Sequence, residues 1–334
     1  GCVESIGPLL ELLRAGAGPV RYAVIEALGR FPKAEACLAP MLELLPDADA
    51  DLAALLVKSV VSLASSSGHG LNLTAGAARG AFIAGLRVAA GAHDPEIVLA
   101  AFKGYAMIAD PAGAEVIVAR LERTAESPEE TWDELFEEAA PALVRCANET
   151  ALLAALESPV GRVAMTSADA LGALRSTIAV AALSRLVGTH ADRDVRRSAV
   201  KALGMIGEAT AVGAVIVALE DEVGHVRKEA AMALGRLDDP VAVAPLCARL
   251  AIEPYPDVRA TIVNALCAVP RPQVVGRFVA LLKHDRAEVR EAAARGLGKL
   301  RAPAASSDLR DAVNDPAWAV RAAAVEAVGG YPTA

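Results

Sequence analysis

Residues 192–219 read D-R-D-V-R-R-S-A-V-K-A-L-G-M-I-G-E-A-T-A-V-G-A-V-I-V-A-L, and this stretch decides the fold. From Val195, apolar residues recur at Ala199, Ala202, Leu203 and Ile206, offsets of 4, 7, 8 and 11. Those offsets share one face of a 3.6-residue period, so the segment reads as an amphipathic helix. Asp192 or Asp194 supplies an N-cap, and Gly204 and Gly207 supply C-terminal stops. A second helix follows over about residues 209–219.

The same pair recurs along the chain. Aligned on Val195, the anchors are Val20, Leu52, Ile97, Leu135, Val163, Val195, Val226, Val258, Val289 and Val320, spaced by 32, 45, 38, 28, 32, 31, 32, 31 and 31 residues. Eight residues after each anchor stands Leu28, Val60, Tyr105, Leu143, Leu171, Leu203, Leu234, Leu266, Leu297 or Val328. A helix pair of about 31 residues cannot bury its apolar face alone, whereas stacked neighbours make a continuous core. The sequence therefore predicts an all-α solenoid of stacked antiparallel helix pairs, about ten repeats with the terminal ones incomplete. Residues 159–334 are regular. Residues 1–158 are degenerate, acidic and interrupted by insertions at 65–74 and 125–138.

The pattern D-x-x-V-R-x-x-A-x-x-A-L-G, complete at Asp192–Gly204, resembles the HEAT-like repeat of phycobilin-lyase subunits and many bacterial scaffolds. Its V-R pair recurs at Val20-Arg21, Val226-Arg227, Val258-Arg259, Val289-Arg290 and Val320-Arg321. The resemblance implies an α-solenoid whose second helices line a concave face, and it implies no single activity.

Arg21, Arg196, Arg227, Arg259, Arg290 and Arg321 each follow an anchor, in the first helical turn. A cation there opposes the helix dipole at a cost of roughly 0.3–1 kcal/mol. Its recurrence predicts a partner, and Asp192, Asp221, Asp257, Asp285 and Asp315 in the preceding loops are the candidates for a structural Asp–Arg ladder.

The chain begins in the register of a second helix, Gly1 matching Gly207, and stops just after a first helix, at Gly329-Gly330. That register suggests a piece of a longer chain. It predicts incomplete cover for Ile6, Leu9, Leu10 and Leu13 at one end, and for Val320, Ala324 and Val328 at the other.

The composition is 54% hydrophobic but only 3% aromatic, and the net charge is −8. Residues 1–158 hold 11 Lys and Arg against 22 Asp and Glu, while residues 159–334 hold 22 against 19. Such a balance disfavours a polyphosphate ligand and suits a protein partner with a basic surface. The acidic insertion, A-E-S-P-E-E-T-W-D-E-L-F-E-E over residues 125–138, supplies the partner-binding candidates Glu129, Glu130, Trp132, Asp133, Phe136 and Glu137. The alternative reading of the segment is a helix start with Ser127 as cap, Pro128 at the first position, and Trp132 and Phe136 packed inward.

Catalysis finds little support. No phosphate loop, H-E-x-x-H or G-x-S-x-G is present. No His is followed by Glu, which sets aside the iron-binding HEAT-like hydroxylases. His69, His93, His190, His225 and His284 mostly occupy loops, so neither a metal nor a cofactor is expected. Five cysteines without C-x-x-C spacing read as buried thiols in a reducing, cytoplasmic compartment. Cys2 after Gly1 also resembles the end of a lipobox. No apolar run reaches the roughly 18–20 residues of a membrane span.

The function these features point to is a scaffold that binds another protein along its concave face and acidic insertions. The alternatives are an accessory subunit of a chromophore lyase and a HEAT-like nucleic-acid-binding protein. Arg185, Arg249, Arg277, Lys283 and Arg310 would form a sparse basic stripe for the latter, but the aromatic rings that stack on bases are nearly absent.

Overall fold

The computed structural model describes residues 6–16, 18–30, 37–67, 73, 76–125, 133–268 and 272–329. Among these residues it is helical throughout and contains no strand. The chain divides into two compact units, residues 1–170 and 171–334. In the first unit run α1 (Ile6–Ala15), α2 (Gly18–Gly29), α3 (Leu38–Leu44), α4 (Ala50–Ser67), α5 (Ala77–Ala90), α6 (Pro95–Ile108), α7 (Ala112–Ala125), α8 (Asp133–Cys146) and α9 (Glu149–Ala155). Helix α10 (Gly161–Ala173) spans the boundary. The second unit follows with α11 (Val180–Thr189), α12 (Arg193–Ile206), α13 (Val212–Ala218), α14 (Gly224–Leu237) and α15 (Val243–Ile252). It closes with α16 (Pro256–Ala268), α17 (Pro272–Leu281), α18 (Ala287–Leu300), α19 (Ser306–Ala312) and α20 (Trp318–Gly329). Even-numbered helices carry the anchors. Apart from α10, each packs on the odd helix before it, as α12 on α11 and α14 on α13, and on a neighbouring even helix, as α12 on α14 and α14 on α16.

The anchor face is the core. Leu52, Leu135, Val163, Val195, Val226, Val258, Val289 and Val320 are buried, as is every residue eight positions on except the half-buried Val328. Each fully buried Leu or Val contributes roughly 1.5–3 kcal/mol. Two anchors depart from the expected register. Val20 is exposed, its helix burying Val24, Ile25 and Leu28 instead, and in α6 the buried side chain is Val98, with Ile97 half-buried. The expected lack of cover at the ends also needs correction. Leu13, Val320 and Ala324 are fully buried, the last two because α20 packs on α18 and α19; only Ile6, Leu9, Leu10 and Val328 are half-exposed.

Helix ends follow the capping chemistry. The Asp192 carboxylate accepts from the Asp194 N–H at 2.8 Å and caps α12, whose stop is Gly207 in the left-handed region. The same position, twelve residues past the anchor, is left-handed at Ala109, Ala147, Arg175, Asp238 and Arg301, where the side chain adds strain that glycine avoids. Gly204 is not a stop. It lies inside α12, where an added Cβ would meet the Cβ of Ala233 at 2.7 Å. Gly29, Gly172, Gly235 and Gly298 stand at the same register, each facing Ser or Ala of the next even helix. Between α4 and α6 the small residue changes side, an added Cβ on Gly104 meeting Val61 at 3.2 Å as well as Leu86 of α5, whereas Gly296 of α18 makes room for the Phe278 ring of α17. At these junctions adjacent even helices thus approach through a glycine.

Candidate interaction surface

The recurring arginines explain how the loops are held. A helical side chain leans toward the N-terminus, so a first-turn arginine reaches back over the preceding loop. Arg196 Nη1 donates to the carbonyls of His190 and Ala191, both at 2.9 Å. Arg227 does the same to Asp221 and Glu222, Arg259 to Glu253 and Pro254, Arg290 to His284 and Asp285, and Arg321 to Asp315 and Pro316, all between 2.8 and 3.0 Å. These carbonyls offset the unfavourable placement of a cation at a positive helix end.

Three of these arginines also use the other edge of the guanidinium. Arg196 Nε and Nη2 clasp both oxygens of Asp221 at 2.7 and 3.1 Å; Arg227 clasps Glu253 at 2.8 and 2.8 Å; Arg290 clasps Asp315 at 2.7 and 2.9 Å. Each partner lies 25 or 26 residues on, in the loop following the arginine's own repeat. The sequence expectation is corrected in both direction and membership. Asp192 caps α12, Asp257 pairs with Lys228 at 3.1 Å, Asp285 lends only its carbonyl, and Glu253 joins the set. Arg21 holds the corresponding place in α2 and is half-buried.

The carboxylate position is five residues before each anchor, where its shared task is to accept the N–H two residues on. Asp221 takes it from Val223, Glu253 from Tyr255, Asp315 from Ala317, Ser158 from Val160, and the Nδ1 atoms of His190 and His284 from Asp192 and Arg286. Glu253 is the most enclosed, 0% exposed against 4% for Arg227, and Arg249 Nε adds a third guanidinium contact at 2.8 Å. Burial alone raises the Glu253 carboxyl, but hydrogen bonds from Arg227, Arg249 and the Tyr255 N–H hold it below its ordinary value. Asp221 behaves alike with Arg196 and Val223. At Asp315 the Arg290 hydrogen bond is the largest effect and also lowers it.

The acidic insertion is only partly visible. Glu129, Glu130 and Trp132 lie outside the described residues, while Asp133 and Glu137 are exposed at the start of α8. Phe136 is buried, with the Arg162 guanidinium 4.2 Å from its ring centre and paired to Asp133 at 2.7 Å. Phe136 is therefore core, and the surface patch keeps only its acids there. On the second helices of residues 171–334 the exposed positions include small residues such as Ala181, Gly213 and Ala244, the apolar Val217, and the polar Arg185, Gln273, Arg277, Ser307 and Arg310, while Ile178 and Val241 are exposed in the 3-10 turns just before α11 and α15.

Reactive groups are subdued. Burial pushes the Cys146 thiol up to about 12 and those of Cys247 and Cys267 up to about 11. Among the described residues no group of His, Cys, Asp and Glu is placed to hold a metal ion, and no helix is long and apolar enough to cross a membrane. His69 and Cys2 lie outside those residues.

Comparison with known proteins decides the repeat type, since a model described as HEAT repeats matches residues 183–266 and 245–329. Residues 183–329 carry HEAT repeats. Solved solenoids share the fold across the chain. The structure of Kap95p with RanGDP aligns over 98% of this chain and 51% of its own length, with TM-score 0.57 and 14% identity. Importin beta aligns over 96% and 52%, with TM-score 0.54 and 16% identity. The chain thus spans about half the length of these two solved structures. The complex of CpcE and CpcF of phycocyanin lyase from Nostoc sp. PCC7120 aligns over 54% of this chain and 76% of that chain, at 26% identity and TM-score 0.39. No curated protein matches the sequence.

Proposed function

We propose that the protein is an interaction scaffold that binds another protein through the second-helix face, the concave side implied by the repeat resemblance, and through its acidic insertion. The observation that carries this is the exposed apolar set Ile178, Val217 and Val241, at or just before the second helices of three successive repeats, beside exposed small residues such as Ala181, Gly213 and Ala244 and the exposed Arg185. Apolar side chains at the second helices of successive repeats suit an extended protein surface. The acids Glu129, Glu130, Asp133 and Glu137, with Trp132 beside them, would meet basic groups on the same partner. The solved neighbours named with protein partners, RanGDP for Kap95p and CpcF for CpcE, are consistent with this use of the fold.

The test is quantitative capture of partners from the native source by the wild-type chain, by V217E/V241E and by D133K/E137K. The reading requires a partner retained by the wild type and lost at least tenfold by V217E/V241E, whose melting temperature is unchanged. Retention by both variants would reject it.

A further inference from the structure

The arginine ladder breaks at one loop edge. Arg196, Arg227 and Arg290 each hold a carboxylate between Nε and Nη2, yet for Arg259, fixed by the same two-carbonyl grip through Nη1, the residue at the acid's register, 25 positions on, is His284. Among the described residues no carboxylate pairs with Arg259. The same loop gains a second cation. Three residues before the anchors stand Asp192, Val223, Tyr255 and Ala317 in the sister loops, but Arg286 here. Arg286 reaches back to the carbonyls of Ala251 at 3.3 Å and Glu253 at 3.4 Å, and the Glu253 carbonyl also takes Arg259 Nη1 at 3.0 Å. Two guanidinium groups therefore converge on one oxygen. The exposed Lys283 stands three residues before Arg286 in the chain; Asp285 is exposed, and Glu288 pairs with Arg286 Nε at 3.7 Å, leaving Arg259 as the one of the two guanidinium groups without a carboxylate among the described residues.

Apolar surface flanks this charge. Ile252 is 59% exposed and Tyr255 53% exposed. The Tyr255 ring is held in place, because an added Cβ on Gly224 would touch it at 3.1 Å and the Arg227 guanidinium lies 5.7 Å from its centre. A fixed aromatic beside arginine is the composition on which binding energy concentrates at protein interfaces.

We propose that Arg259 and Arg286, with Tyr255 and Ile252, form a docking site for an acidic segment of a partner protein. An aspartate or glutamate carboxylate takes Nε and Nη2 of Arg259 as Asp221 and Asp315 take those of the sister arginines, and a neighbouring apolar side chain packs on Tyr255 and Ile252. Planar two-oxygen anions match this fork, with Arg286 adding charge. The site deepens the scaffold reading and lies apart from the acidic insertion, so a single partner would need both basic and acidic patches.

The probe is a blocked pentapeptide with a central glutamate between two leucines, titrated into the full chain while the arginine Nε–H resonances are followed by NMR. The expected result is a saturable shift at Arg259, at least tenfold weaker for the glutamine peptide, and lost in R259Q. It is lost also in H284D, which supplies an internal carboxylate, while melting of H284D at or above the wild-type temperature shows that it folds. Equal binding of the two peptides, or unchanged binding by H284D, overturns the site. So does inorganic phosphate binding tenfold more tightly than the glutamate peptide, which would make the ligand a phosphate. A captured partner indifferent to R259Q and H284D likewise removes this site and leaves the scaffold reading intact, whereas peptide binding without any captured partner does the reverse.

Discussion

Replacing Glu253 by alanine should be the most damaging single truncation among the loops of residues 171–334. The side chain is fully buried, and its loss strands Arg227 Nε and Nη2, Arg249 Nε and the Tyr255 N–H. Removing one partner of a buried ion pair costs about 3–5 kcal/mol, because the remaining charge stays desolvated. At roughly 2–4 °C per kcal/mol for a unit of this size, melting should drop by about 6–20 °C. E253Q keeps one oxygen for Arg227 and should cost less, about 1.5–3 kcal/mol, the worth of a charged hydrogen bond. D257A, which breaks an exposed pair with Lys228, should fall within about 1 kcal/mol of wild type. Urea unfolding of the three variants, with hydrogen exchange over residues 221–259, makes the comparison. A loss below about 1 kcal/mol for E253A, or equal losses for E253A and D257A, would refute the view that the buried clasp holds adjacent loops together.

Further outcomes follow from the same geometry. Asp221, Glu253 and Asp315 ionise more readily folded than unfolded, so the unfolded chain binds more protons; their contribution is full above the ordinary values of 3.8 and 4.5 and is lost as pH falls below them, which acid titration of the melting temperature should show. A109G and A147G should each stabilise by about 0.5–1 kcal/mol, read by denaturant midpoint, because both alanines sit at positive φ where glycine is unstrained. G204A should destabilise by about 1–3 kcal/mol through overpacking on Ala233, and G204A/A233G should recover most of it by moving the small residue across the junction. Native Cys146 and Cys247 should react with a thiol reagent at pH 8 only at the rate of local opening, since both are buried with thiols raised to about 12 and 11; labelling as fast as in denaturant would contradict their placement.

The stack was legible because its signal is periodic burial. An apolar anchor with a leucine, valine or tyrosine eight residues on recurs in every repeat, and Val195 with Leu203 is enough to find the others. The arginines were legible as needing partners, for a cation in a first turn is unfavourable by itself. Of their partners, Asp221 and Asp315 were legible as acids in the loops and Glu253 was not, because Ser158, His190, Asp221, Glu253, His284 and Asp315 share only an atom that accepts one N–H, a property no single residue type reveals. Glu253 was missed for that reason. Gly204 misled because glycine marks both a helix stop and a close helix contact, and only the neighbouring Ala233 tells which. The left-handed positions at Ala109 and Ala147 left no mark at all, since the strain is carried by residues that do not advertise it. Trp132 and Phe136, one turn apart, allowed an inward or an outward reading, and the Arg162 stack places Phe136 inward.

The scaffold reading is tested most directly by site-specific photo-crosslinking in the native source, with the crosslinker placed at Val241 on the second-helix face or at Met232 on the first-helix face of the same repeat. Both positions are exposed. The reading predicts one discrete partner adduct from Val241, abolished by V217E, and none from Met232. Adducts from Met232 alone, or none from Val241 while the partner is still bound, would contradict it.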